Sequence, residues 1–236
     1  MIKKLLLLVV LVVVVGLVAV YLYRNALVEA AVEESGNYVL GVPTDLGSAG
    51  LDLGGGSLSL DNYSISNPEG FEGEHFLVLE RGVLDVESGS ILDDEVVVDS
   101  LVLEGFRISL EQIDKKGNYL AILDNLKKFE LSSSSESNKR LKISKLALRD
   151  IGVDASLTLM GKKQVDKSFT VENITLENVG GGEGTSVGGL IKTVVTEVLT
   201  KATSGGLGIP GIDVDAEIDK LKEEGTDKLE EAAKDQ

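Results

Sequence analysis

The chain has 236 residues and 39 acidic against 23 basic side chains, and its net charge of −16 argues against a nucleic-acid partner, which wants a basic face. It has no Cys and a single His, His75, so disulfides and thiolate metal sites are excluded and a transition-metal centre has few routes. Trp is absent and aromatics make up 4% of residues, too few for a platform that stacks bases or sugars.

Leu5 to Tyr23 is an unbroken apolar run, with Lys3 and Lys4 before it and Arg24 after it. About 20 apolar residues in a helix cross a bilayer core. The run exceeds the h-region of a signal peptide and ends in Tyr21-Leu22-Tyr23-Arg24 rather than a small-x-small site, so it reads as a retained anchor over residues 1–24. The positive-inside rule puts the N-terminus in the cytoplasm and the body across the membrane. A juxtamembrane helix is expected over 25–43. Leu27, Val28, Ala31 and Val32 form its apolar stripe, Glu29, Glu33 and Glu34 lie opposite, and Gly41-Val42-Pro43 ends it.

From Asp45 the apolar period changes to two. Leu51 and Leu53 alternate with Asp52, Gly54–Gly56 turns the chain, and Leu58 and Leu60 resume the pattern. Tyr63 and Ile65 continue it after a one-residue slip at Asp61-Asn62, which indicates a bulge. Asn67-Pro68-Glu69-Gly70 is a turn. Strands are expected over Phe76–Val86 and Val96–Leu110, the second bent at Gly105. A short helix is expected at 119–129, capped by Asn118. The segment Ser132–Asn138 reads as a disordered loop. Strands resume at Leu141–Ile151, Val153–Leu159 and Phe169–Leu176, with a polar turn around Gly161-Lys162-Lys163 joining the last two.

Gly180–Gly184 reads as a flexible hinge. Val187, Leu190, Ile191, Val194, Val195, Val198, Leu199 and Ala202 then recur at helical spacing and mark an amphipathic helix within 180–204. The segment 205–236 is an acidic tail, helical or disordered. The fold class is therefore α+β and mainly β: an N-terminal transmembrane helix, then a curled antiparallel sheet over 44–179 with a few covering helices. About seven strands at about 4.8 Å spacing make a sheet roughly 35 Å across, more than two short helices cover, which leaves an apolar trough.

No constellation points to catalysis, and no cofactor is implied. Asp93-Asp94-Glu95 is a solvated loop. Asp213, Asp215, Glu217 and Glu224 match calcium-loop positions, but Ile218 stands where the turn needs Gly. The Gly181-Gly182-Glu183-Gly184 run lacks the Gly-Lys-Ser/Thr of a phosphate loop.

The order of parts carries a resemblance. An anchor and short helix precede "LGVPTDLGSAGLDLGGGSLSLDNYSISNPEGF" (Leu40–Phe71), "VVVDSLVLEGFRISLE" (Val96–Glu111) and "NYLAILDNLKKF" (Asn118–Phe129). A Ser-rich loop, "LKISKLALRDIGVDASL" (Leu141–Leu157), and a Gly run into an amphipathic helix follow. This resembles the short AsmA-like proteins of bacterial envelopes. The resemblance implies an inner-membrane anchor, a periplasmic body and a curled sheet with an apolar inner face. The family is linked to phospholipid transport and outer-membrane upkeep and has no catalytic residues. A sheet of this width should not bridge an envelope alone.

The expected lipid-facing residues are Leu58, Leu60, Ile65, Val98, Leu101, Leu103, Ile108, Ile143, Leu146, Leu148, Leu157 and Leu159. The expected headgroup contacts are Lys139, Arg140, Lys142, Lys145 and Arg149, unless these pair with neighbouring acids on an outer sheet face. A glutamate at Leu103 or Leu148 should then abolish lipid uptake without unfolding the body. Two partners stay open beside the membrane itself: phospholipid in the trough, or another envelope protein (or a second copy) recruited through the tail from Asp213.

Overall fold

The computed structural model describes residues 23–52, 54–91, 93–132 and 139–204. The expected span up to residue 22, the Ser-rich loop over 133–138 and the tail from 205 lie outside the described residues. A helix, α1, covers 23–40. Strands β1 (Thr44–Asp52), β2 (Ser57–Ser66), β3 (His75–Val86), β4 (Glu95–Ile113) and β5 (Lys116–Gly117) follow, then helix α2 (Asn118–Ser132). The chain continues through β6 (Arg140–Arg149), β7 (Ile151–Leu159), β8 (Lys162–Val171), β9 (Ile174–Val179) and helix α3 (Val187–Ser204). The fold is mainly β, and its sheet does not close.

Two pairs of short strands act as single long ones. β6 and β7 both run parallel to β4 at the same offset, from Glu95↔Arg140 to Glu104↔Arg149 and from Arg107↔Gly152 to Ile113↔Thr158. β9 and β8 return against them in one shared register, Leu148↔Ile174 and Ile151↔Val171. The sheet is thus six long strands wide, about 24 Å between its outer strands. This corrects the expectation of an antiparallel sheet: α2 serves as the crossover that a parallel pair requires, between β4–β5 and β6.

A line of irregular residues crosses the sheet. The ladder skips Asn62, Glu80 and Gly105, passing from Leu46↔Tyr63 to Ser48↔Asp61, from Tyr63↔Leu79 to Asp61↔Arg81 and from Leu79↔Phe106 to Arg81↔Glu104. Asn62, Gly105 and Asp150 stand at φ 57°, 65° and 52°. Every strand changes its inward parity there. Tyr63 and Ile65, Leu77 and Leu79, Phe106 and Ile108, Ile151 and Val153 pack inward on one side of the line. On the other side the apolar positions are Leu58 and Leu60, Gly82 and Leu84, Leu101 and Leu103, Leu146 and Leu148. The slip at Asp61-Asn62 and the bend at Gly105 are therefore two points on one stacked kink, which preserves register because neighbouring strands make it together.

The apolar face is covered by α2 and α3. Ile122 and Leu126 of α2 and Val195, Val198 and Leu199 of α3 share one core with Phe106, Ile108, Leu146 and Leu148. The run Gly180–Gly184, expected as a flexible hinge, folds as a 3-10 turn pinned by two reciprocal bonds between Leu141 and Thr185, at 2.7 and 2.9 Å. Lys162 and Lys163, expected in the turn around Gly161, open β8; an edge strand facing water can carry many polar residues, which masks its apolar alternation.

α1 lies antiparallel along the free edge of β1. Arg24 Nε donates to the Leu51 carbonyl and Asn25 Oδ1 accepts from the Leu51 amide, both at 3.1 Å. Glu33 Oε1 accepts from the Leu46 amide at 3.0 Å, and Asn37 Oδ1 accepts from the Thr44 amide at 2.5 Å. A strand edge needs hydrogen-bonding partners rather than an apolar stripe. Accordingly Glu33 is half-buried while Leu27, expected on the packed stripe, is 55% exposed. Tyr23 therefore leaves α1 beside Leu51, at what we call the near end of the sheet.

At the far end a buried carboxylate holds the Asn67–Gly70 turn. Glu111, 5% exposed, accepts from the amides of Glu72 and Gly73 at 2.8 Å and from Asn67 Nδ2. Asn118, fully buried, accepts from the amides of Glu111 and Tyr119 and donates to the Ser109 carbonyl and Asn67 Oδ1. One side chain thereby ties the start of α2 to β4 and the turn.

Candidate functional site

The register builds two apolar rows across the near half of the sheet. Leu51, Leu58, Leu84, Leu101, Leu146 and Leu176 pair in succession, one from each long strand. Beside them run Ala49, Leu60, Gly82, Leu103, Leu148 and Ile174. The second row has a notch: an added Cβ on Gly82 would meet Leu79 at 3.4 Å, Leu103 at 3.5 Å and Leu60 at 3.8 Å, all ordinary contacts.

Cover is uneven along these rows. Leu146 and Leu148 are 0% exposed. Leu51, Leu58, Leu60, Leu84, Leu101 and Leu103 stay half-buried, as does Leu176 at the opposite edge of the first row. Leu146 and Leu148 lie within the core that α2 and α3 share with the sheet, whereas Leu84, Leu101 and Leu103 pack against the margin of that core, and α1 is spent on the β1 edge. Of the remaining expected lipid-facing residues, Ile65, Val98, Ile108, Ile143 and Leu157 are buried, and Leu159 is 41% exposed at the far end. The continuous trough expected from strand patterning is therefore reduced to a strip over β1–β4. The expectation that Leu148 tolerates a glutamate is corrected for the same reason: its side chain is core.

The five expected basic residues do not converge. Lys139 donates to the Ile91 carbonyl, and Arg140 Nη1 donates to the Glu183 carbonyl at 3.1 Å, both at the near end. Lys142 pairs with Glu95 at 2.8 Å, and Lys145 stands opposite Glu177. Arg149 sits at the mid-sheet kink in a row of alternating charge, Asp61↔Arg81↔Glu104↔Arg149, with ion pairs of 3.7 Å for Asp61–Arg81 and 2.9 Å for Glu104–Arg149. Pairing with neighbouring acids, the alternative weighed from sequence, describes Lys142 and Arg149.

Leu51, Leu84 and Leu176 complete the first row but were absent from the expected set. Each alternates correctly in its own strand; membership of the row follows only from pairing partners, which local periodicity does not encode. Among the described residues no three His, Cys, Asp or Glu side chains gather as a metal site. An open cleft of about 720 Å³ at the kink is lined by Glu80, Gly105, Arg107, Asp150, Glu172 and Asn173, among others. Its charged rim, with Phe106, Ile151 and Val171 beneath, is unlike the all-apolar strip.

No curated protein matches the chain. The family model for AsmA matches residues 1–221, nearly the whole chain and every described element, and the chain therefore belongs to the AsmA family, which is associated with the bacterial envelope.

Proposed function

We propose that this protein is a non-enzymatic, membrane-anchored envelope protein that seats phospholipid acyl chains on the half-open leucine strip of β1–β4. In this reading residues 1–24 hold it in the inner membrane, with the N-terminus cytoplasmic and the body periplasmic. The observation that carries the reading is the contrast along the rows: Leu146 and Leu148 on β6 and Ile174 on β9 are buried, whereas Leu51, Leu58, Leu60, Leu84, Leu101 and Leu103 on β1–β4 are half-buried. Each methylene laid on such a surface gains about 0.8 kcal/mol when fully removed from water, so a few carbons suffice for measurable binding without headgroup selection. The strip lies at the near end, where α1 meets Leu51 and the chain enters from residues 1–22. Its narrowness supports holding or handing on a chain rather than a complete conduit by one copy.

A photo-crosslinking side chain placed at Leu58 or Leu101 in the full chain, in native membranes, should capture phospholipid. The same group at Val102 or Ser59, on the opposite face, should not. Equal capture from both faces, or none from the strip, would remove the proposal. A second reading has its own observation, the complete cover of Leu146 and Leu148 by the chain's own helices. If the remaining strip takes a protein partner instead, the crosslinker at Leu101 returns one defined polypeptide and no lipid.

A further inference from the structure

The β7–β8 hairpin turns at Met160-Gly161, with φ of 50° and 73°. Two left-handed residues make a two-residue turn that favours Asn-Gly or Asp-Gly; methionine gains nothing there and bears the steric cost of its Cβ. Met160 is nevertheless 94% exposed, and Leu159 beside it is 41% exposed. The Met160 amide donates to Asp114 Oδ1 at 2.8 Å, which fixes the hairpin tip against the β4–β5 turn.

Lysines surround the tip in this acidic protein. Lys115 lies in the β4–β5 turn and Lys116 opens β5, and Lys162 and Lys163 follow the hairpin turn. Lys163 pairs with Asp166 at 3.2 Å and Glu72 at 3.7 Å, whereas Lys115, Lys116 and Lys162 make no ion pair among the described residues. The tip is also far from the anchor end. β6 and β7 hold 10 and 9 residues in line, which at about 3.3 Å each puts Met160 about 60 Å from Arg140.

We propose that the Met160 tip is a second lipid-contacting element, which inserts its methionine at the interface of an anionic bilayer while the neighbouring lysines meet the headgroups. A strained, solvent-exposed apolar residue at the apex of a rigid hairpin is a cost with no folding return, and Lys115, Lys116 and Lys162, which make no ion pair among the described residues, supply the complementary charge. The inference is independent of the acyl-chain strip, because it uses the opposite end of the sheet.

The test holds the full chain in nanodiscs of neutral lipid and measures its capture by separate vesicles containing about one-third phosphatidylglycerol. The wild type should float with anionic vesicles and not with neutral ones. Met160→Asp should lower capture about tenfold, and charge reversal at Lys162 about fivefold or more. Met160→Asn provides the decisive arm: Asn suits the left-handed turn, so melting temperature should hold or rise while capture falls. Capture unchanged by Met160→Asn, equal capture by neutral vesicles, or no capture at all would each overturn the proposal.

Discussion

Leu146 and Leu101 face each other in one row, on one side of one sheet, yet one is core and the other half-open. Nothing in the strands distinguishes them. Both sit in alternating apolar segments, β6 and β4, and both are leucines. The difference is what lies above: α2 and α3 share a core with the β6 side, while α1 turns its polar side chains to the β1 edge. An apolar face is therefore an offer that a helix, a partner or a lipid can accept, and in this protein the offer is half taken.

The contrast breaks most sharply at Leu148. Leu148→Ala should cost about 2–5 kcal/mol, and Leu148→Glu should unfold the body, since no described cation lies within that core to pair a carboxylate. Leu101→Glu should cost about 1 kcal/mol in a denaturant melt, because its side chain can reach water, but should abolish lipid crosslinking from Leu58. If both glutamates unfold the body alike, the two sides are equally sealed and the strip does not exist. Filling the notch with Gly82→Leu should leave the fold within about 1–2 kcal/mol and block crosslinking as well, which separates occupancy of the strip from its charge.

The stacked kink is the device that keeps both halves of the face on one side. A Cβ on Gly105 would lie 2.5 Å from the Glu80 side chain, and φ there is 65°. Gly105→Ala should therefore cost about 2 kcal/mol or more. Asp150→Gly at the junction of β6 and β7 should go the other way and stabilise by up to about 1 kcal/mol, since the Asp150 amide still donates to Asn173 Oδ1. A calorimetric melt of the two variants checks the opposite signs. At the far end, Glu111→Gln should cost about 1–3 kcal/mol, because two amides lose a carboxylate acceptor on the turn they hold.

Period-two runs in β2, β3, β4 and β6, the slip at Asp61-Asn62, the bend at Gly105 and the helical stripe of α3 were legible as local patterns. Three features were not. The parallel pairing of β4 with β6–β7 depends on residues 45 positions apart, which alternation does not report. β8 carries Lys162, Lys163, Asp166, Lys167 and Ser168 because it is an edge, so its strand signal is drowned by solvent-facing residues. The stripe on α1 pointed to Leu27 because apolar spacing assumes a pleated surface beneath the helix, whereas a bare strand edge selects Glu33 and Asn37. For the candidate site, alternation picked out Leu58, Leu60, Leu101 and Leu103 but not their row partners Leu51, Leu84 and Leu176, nor which leucines stay half-buried, because pairing and cover are set by the sheet register and the helices above it.

The smallest effect tests how firmly α1 seals its side. Tyr63 lies in the row Leu46↔Tyr63↔Leu79, under the Gly36 turn of α1, where an added Cβ would come within 2.9 Å of its hydroxyl. Burial raises the Tyr63 phenol above its ordinary value of 10.0, partly offset by a hydrogen bond with Thr44. The unfolded chain then loses this proton first as the solution becomes alkaline. The stability from the neutral phenol is complete below about pH 10 and is lost as pH rises through the folded value. Tyr63→Phe should remove that alkaline decline while leaving the neutral-pH melt within about 1 kcal/mol. If hydrogen exchange along α1 speeds up in parallel with the decline, the edge helix is the weaker seal. If α2 and α3 loosen with it, the two sides of the sheet unfold as one unit and the half-open strip is rigid by coupling to the closed one.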